Sequence, residues 1–129
     1  MLEFQVSVVS GKSVSEAVAA VGEALAARKF SVLWQLNVNE TLAGKGFSLE
    51  PEVRILEVCS APRAKEALET NIEVAGFLPC KIVVKQVNGQ TTIGLIKPTM
   101  LMSVLGDQRL EHLAQEVEAV LLEAVEAAR

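Results

Sequence analysis

The sequence predicts an α+β fold, β-α-β-β-(α)-β-β-α, in which a five-stranded, mainly antiparallel open sheet carries its helices on one face. Three patterns predict it. Apolar residues recur with a period of two over residues 2–8 and 30–38, the mark of strands with one buried face. They recur roughly every 3.6 residues over 14–28 and 110–125, the mark of helices packed by one stripe. Asn88-Gly89 joins two β-branched runs, Ile82 to Val87 and Thr91 to Ile96, and this dipeptide readily takes the positive φ angles of a tight hairpin turn.

Taken in order, Leu2, Phe4, Val6 and Val8 alternate with Glu3, Gln5 and Ser7 in the expected first strand. Gly11 and Lys12 turn the chain. Ser13 and Glu16 have the spacing at which each side chain satisfies a free backbone N–H of a helix start. Val14, Ala17, Val21 and Leu25 give that helix its buried face. In the second strand Phe30, Val32, Trp34, Leu36 and Val38 point one way, with Leu33 turned away from the Trp34 row. Residues 39–51, with Gly44 and Gly46, read as a loop containing one helical turn at Glu40 to Ala43. A third strand, Val53 to Cys59, has apolar residues on both faces, which suits an interior strand and leaves its side-chain phase open.

Ala61-Pro62 opens a short helix that ends by Asn71, because proline is tolerated in a first turn. The hairpin follows, then a short helical piece over Thr99 to Val104. Gly106-Asp107 precedes a last helix striped with Leu110, Leu113, Ala114, Val117 and Leu121. No repeat or linker interrupts the pattern, so a single domain over residues 1–129 is expected.

Composition narrows the function classes. Half of the residues are hydrophobic and 22% are charged, a balance that supports a core and argues against disorder. The net charge is −4, and the 12 basic residues are scattered among 16 acidic ones, so no basic stripe is available to neutralise a row of phosphates. With no Tyr, one Trp and four Phe there is little surface for base stacking, and Lys81, Lys85 and Lys97 read as solvated. Nucleic acid is not an expected partner. The first residues alternate in polarity and carry Glu3 where a secretory signal needs basic residues, and no apolar run approaches the ~18 residues of a membrane span. A cytoplasmic protein without membrane contact is expected.

Few residues point to chemistry. Gly11-Lys12-Ser13 lies between a strand and a helix, yet Val6 stands where a phosphate-binding loop needs its first glycine, so helix capping explains it. His112 lies off the apolar stripe of the last helix, and the carboxylate pairs Glu50 with Glu52 and Glu116 with Glu118 sit in solvated settings, so acid–base catalysis has little support. Cys59 and Cys80 are different. If the third and fourth strands are antiparallel neighbours, the two thiols fall at one end of the sheet, flanked by Ser60 and Lys81. They could form a redox pair or hold a soft metal ion, with Met100 and Met102 as further soft ligands. The competing reading is that buried cysteines and methionines fill core gaps.

The run from Cys59 to Leu68 (CSAPRAKEAL), with Phe77-Leu78-Pro79-Cys80 before a valine-rich strand, resembles the family called domain of unknown function 302. Thr41-Leu42 and Lys45-Gly46-Phe47 are similar to it too, and the similarity extends from Phe4 to Met102. The resemblance implies a sheet-and-helix arrangement similar to TATA-binding-protein-like folds and implies homodimerisation; it implies no particular activity. Two positions depart from the family pattern. Ser60-Ala61 stands where the family tends to have Asn-Pro, and Lys81 where it tends to have Asn, so a site built on those amides does not carry over.

The expectation is a noncatalytic, homodimeric domain that binds a small ligand or a protein partner without a cofactor, at a site comprising Cys59, Cys80, Ser60 and Lys81. The alternative is a thiol-dependent redox, sulfur-handling or soft-metal-binding protein using Cys59 and Cys80, with Met100 and Met102 as added metal ligands.

Overall fold

The computed structural model describes residues 3–129, so Leu2 of the expected first strand lies outside the described residues. The elements are β1 (Gln5–Ser10), α1 (Val14–Ala26), β2 (Ser31–Asn37), α2 (Val38–Ala43), β3 (Glu52–Cys59), α3 (Ala61–Thr70), a 3₁₀ segment (Ile72–Phe77), β4 (Cys80–Val87), β5 (Gln90–Ile96), α4 (Pro98–Ser103) and α5 (Gln108–Ala128). The strands form one sheet in the order β1-β5-β4-β3-β2, with every neighbouring pair antiparallel.

Local chemistry sets the boundaries. The Ser13 hydroxyl accepts from the Glu16 N–H and the Glu16 carboxylate accepts from the Ser13 N–H, a closed capping box that starts α1. Lys12 donates to the Arg129 carbonyl, so Gly11-Lys12-Ser13 serves to join two helix ends. Asn88 (φ 50°) and Gly89 (φ 79°) make the β4–β5 turn in the left-handed region, as their side chains permit. The Asp107 carboxylate caps α5 at the Arg109 and Leu110 N–H groups.

Helices α1 and α5 lie against one face of the sheet. Val14, Ala17, Val21 and Leu25 from α1 and Leu121, Ala124 and Val125 from α5 meet Leu56, Val58, Ile82, Val84, Ile93 and Leu95 in the main core. Fully burying one such side chain contributes about 1.5–3 kcal/mol. A smaller cluster of Ala67, Val74, Met102, Leu110 and Ala114 gathers where α3, the 3₁₀ segment, α4 and the start of α5 converge.

Three expectations are corrected. Phe4 precedes β1 and is exposed; the buried row of that strand is Val8 and Ser10. Val38 does not extend β2, because the Asn37 side chain accepts from the Glu40 N–H and starts α2 there. The 3₁₀ segment after α3 has no periodicity that could have announced it. Most consequential is a bulge in β2: Val32 pairs with Val58 but Trp34 pairs with Glu57, so one extra residue, Leu33, enters the strand. Phe30 and Val32 therefore face the core, whereas Trp34 and Leu36 are carried to the opposite face. Leu33 itself, unpaired in the bulge, is exposed and lines a groove beside α3.

The register also settles the phase of β3. Leu56 and Val58 are buried under the helices, and Val53, Ile55 and Glu57 point to the other side.

Candidate functional site

Strand β3 ends and β4 begins at the same end of the sheet, because Val58 pairs with Cys80. Cys80 points with Ile82 and Val84 toward the helices and is only 8% exposed. Cys59 is the last residue of β3, where the chain turns into α3, and is half-buried. Residues Cys59 and Cys80 both border one cavity of about 30 Å³ together with Ser60, Arg63, Ala67, Met102 and Leu113, among others. A water molecule needs only about 10–15 Å³ of such space, so the cavity admits something the size of a water or a single ion. Its walls come from both cores: Cys80 belongs to the larger cluster, Met102 and Ala67 to the smaller. The cavity is the seam between them.

Cys59 also faces outward. On its other side a surface groove of about 630 Å³ runs between the start of β2 and α3, lined by Ser31, Leu33, Ala61, Lys65, Leu68 and Ile72 in addition to Cys59. Residue Cys59 thus borders both an open groove and the inner cavity.

Burial pushes both thiols up from the ordinary value of 9.0. Cys80 rises to about 11, chiefly through burial and further because a negative charge at Cys59 would repel its own. A nucleophilic or redox-active cysteine needs the opposite, a pKa lowered by cations or a helix start. The one cation on the cavity wall, Arg63, donates to the Glu116 carboxylate at 3.2 Å.

The structure brings together some of the residues singled out in the sequence and separates others. Ser60 joins the thiols: it is buried, lines the cavity and occupies the N-cap of α3 without a side-chain capping bond. Lys81 does not. Adjacent strand residues point to opposite faces, and Lys81 lies on the far side of the sheet, donating to Glu57 at 2.7 Å. Met102 lines the cavity; Met100, two positions earlier on α4 and therefore roughly 200° around the helix, does not. His112 is exposed and meets Glu116 at 3.3 Å, and Glu118 accepts from the backbone and hydroxyl of Thr99. Among the described residues no three of His, Cys, Asp and Glu cluster as metal ligands.

Sequence reasoning missed Arg63 and the groove residues Leu68 and Ile72 as neighbours of the thiols. The run from Cys59 to Leu68 did contain Arg63 and Leu68, but only the docking of α3 against α5 shows which side of that helix meets the cavity.

The pattern of the family described as Domain of unknown function DUF302 matches residues 6–128. The chain belongs to this family. A solved structure, the crystal structure of the uncharacterized conserved protein DUF302 from Bacillus stearothermophilus, is 38% identical, with a TM-score of 0.96 over 99% of this chain and 100% of that one. No curated protein matches. The DUF302 chain thus has the α+β architecture expected from its sequence, with helices on one side of a five-stranded antiparallel sheet. Among the described residues no helix is long and apolar enough to cross a membrane.

Proposed function

We propose that this DUF302 domain is noncatalytic and works by association, packing the uncovered face of its sheet against a second copy of itself. One observation carries the reading. The cross-strand register aligns Leu36, Ile55, Val83 and Gly94 in a single row across four strands, with Trp34 beside it, on the face opposite α1 and α5. Trp34 is 52% exposed there.

The surroundings favour a like partner. The apolar row is flanked by the Glu57–Lys81 ion pair on one side and by Lys85 and Thr92 on the other, an apolar centre with a polar rim bearing both charge signs. Such a patch can be self-complementary about a two-fold axis. Five strands about 4.8 Å apart and about six residues long present a projected area of about 500 Å² before side-chain relief is counted. That is of the same order as the ~800 Å² each partner buries in a standard interface. The bulge at Leu33 twists the β2 edge and discourages strand-to-strand extension there, which leaves the face as the surface to be covered. Two free thiols suit a reducing compartment, so the cytoplasm is the setting we assign.

Trp34, the single tryptophan, reports on this face directly. Light scattering after size exclusion is expected to give a dimer, with Trp34 emission shifting to the blue as concentration rises. Ile55→Lys is expected to yield a folded monomer with a red, concentration-independent emission. A wild-type chain that stays monomeric at high concentration, with Trp34 in water throughout, would overturn the proposal.

A further inference from the structure

We propose that the free edge of β1 pairs antiparallel with β1 of a second copy, joining the two sheets into one. Strands β1 and β2 are the two edges of the sheet, and they are guarded differently. The bulge at Leu33 disrupts β2, whereas the pairing of β1 with β5 runs from Gln5 to Ser10 without a shift. Over that span β1 also lacks charged residues and proline, and Ser7 and Val9 are exposed. Charge, proline and bulges are the devices that stop an edge from pairing, so β1 is the edge left open.

Backbone hydrogen bonding gives the register. The Phe4 carbonyl accepts from the Lys97 N–H at 2.8 Å, and alternate residues of an antiparallel strand turn both backbone groups to the same side. Val6, Val8 and Ser10 therefore bond to β5, while Gln5, Ser7 and Val9 each turn an N–H and a C=O to the open edge. With Ser7 opposite Ser7 of the second copy, Gln5 lies opposite Val9 and Val9 opposite Gln5. Every one of those outward groups then has a partner. No other register of the strand that keeps the helices of both copies on one side of the joined sheet pairs them all. Val6 meets Val8 on the helix side, and Glu3 comes opposite Gly11, next to Lys12, so unlike charges end the contact. This two-fold match of donors, acceptors and charge fits a second copy better than an arbitrary strand.

The edge contact is separate from the packing of the open face. A strand of this length covers about 200 Å² per copy, roughly a quarter of the ~800 Å² of a standard interface, so the pairing belongs to concentrated solution and dissociates at the dilution of a sizing column. Ser7 also ends the row of Leu36, Ile55, Val83 and Gly94, so the axis of the edge contact crosses that row. Chains that also pack by the open face, about an axis along the row, close into a finite assembly instead of growing as a fibre.

The test is sedimentation equilibrium and amide hydrogen exchange on Ile55→Lys, which removes the open-face contact, between about 20 µM and about 2 mM. The expected result is a mass rising toward two chains, with exchange at Gln5, Ser7 and Val9 slowed about threefold or more at the higher concentration and exchange at Val6 and Val8 unchanged. Ser7→Pro removes an outward N–H without touching the β5 ladder, and Ser7→Asp sets two carboxylates across the axis. Each should abolish the concentration dependence and keep its circular dichroism spectrum, whereas Ser7→Ala should pair like its parent. A constant single-chain mass with unchanged exchange at the three outward amides, or pairing that survives in a folded Ser7→Asp variant, would sink the edge contact; either result leaves the Trp34 emission test of the open face as it stands.

Discussion

The two faces of the sheet are built from neighbouring residues of the same strands and yet differ in every physical respect. On one, Leu56, Ile82, Val84, Ile93 and Leu95 are sealed under α1 and α5. On the other, Val53, Ile55 and Val83 are only partly buried, Trp34 is open to water, and neither α1 nor α5 lies over them. The covered face makes the fold; the open face has apolar content beyond what a solvated sheet face requires.

The sharpest way to break this comparison is to truncate adjacent residues of β3. Leu56→Ala is expected to destabilise the chain by about 2–5 kcal/mol, because it leaves a cavity under two helices that cannot collapse into it. Ile55→Ala, one residue away, should cost clearly less in dilute solution, about 1–2 kcal/mol, because that side chain keeps some contact with water. Urea unfolding at several protein concentrations reads both. If the open face closes a dimer, the Ile55→Ala loss grows with concentration and the Leu56→Ala loss does not. Equal losses at every concentration would mean the two faces are energetically alike.

A second comparison is between the buried and half-buried thiols at the seam. Cys80 holds its proton up to about pH 11 in the folded chain, against an ordinary value of 9.0. The unfolded chain therefore loses that proton first as pH rises, and the folded state binds more protons between these two values. Stability should be fully present below pH 9.0 and fall by about 2–3 kcal/mol in all as pH climbs through about 11. Cys80→Ala should remove this component, so the wild-type and variant stability curves should converge above pH 9.0. The Cys59 thiol is raised as well but is less buried, and Cys59→Ala should change the slope less. Parallel curves for wild type and Cys80→Ala would show that burial does not hold the proton on.

Much of this molecule is legible in the chain. The stripes of α1 and α5, the capping box at Ser13 and the Asn88-Gly89 turn are local signals, and each stands where it was expected. The blurred alternation of β3 was a true signal too: the strand does carry apolar residues on both faces. The bulge at Leu33 was hidden because a bulge exists only relative to a partner strand, and nothing in Val32-Leu33-Trp34 marks where β3 will skip a residue. The candidate site was half visible. Antiparallel pairing predicted that Cys59 and Cys80 meet at one end of the sheet, and they line one cavity; strand alternation should have excluded Lys81 from the same reasoning. Arg63 and the groove came from helix docking, a tertiary fact with no local pattern.

The smallest expected effect sharpens the first comparison at its least obvious point. Gly94 sits in the open-face row between Val83 and Ser7, and an added Cβ would lie 3.2 Å from the Gln5 side-chain oxygen, the far end of a side chain free to swing aside. Its φ is not in the left-handed region, so alanine fits the backbone, and Gly94→Ala should stabilise the monomer by up to about 0.4–1 kcal/mol by narrowing the unfolded ensemble. The same methyl group would push the Gln5 side chain aside and change the relief of the face beside Val83. If a second copy seats a side chain there, Gly94→Ala should raise thermal stability in dilute solution while weakening association, two readouts moving in opposite directions. A face that only meets water would show the first change without the second.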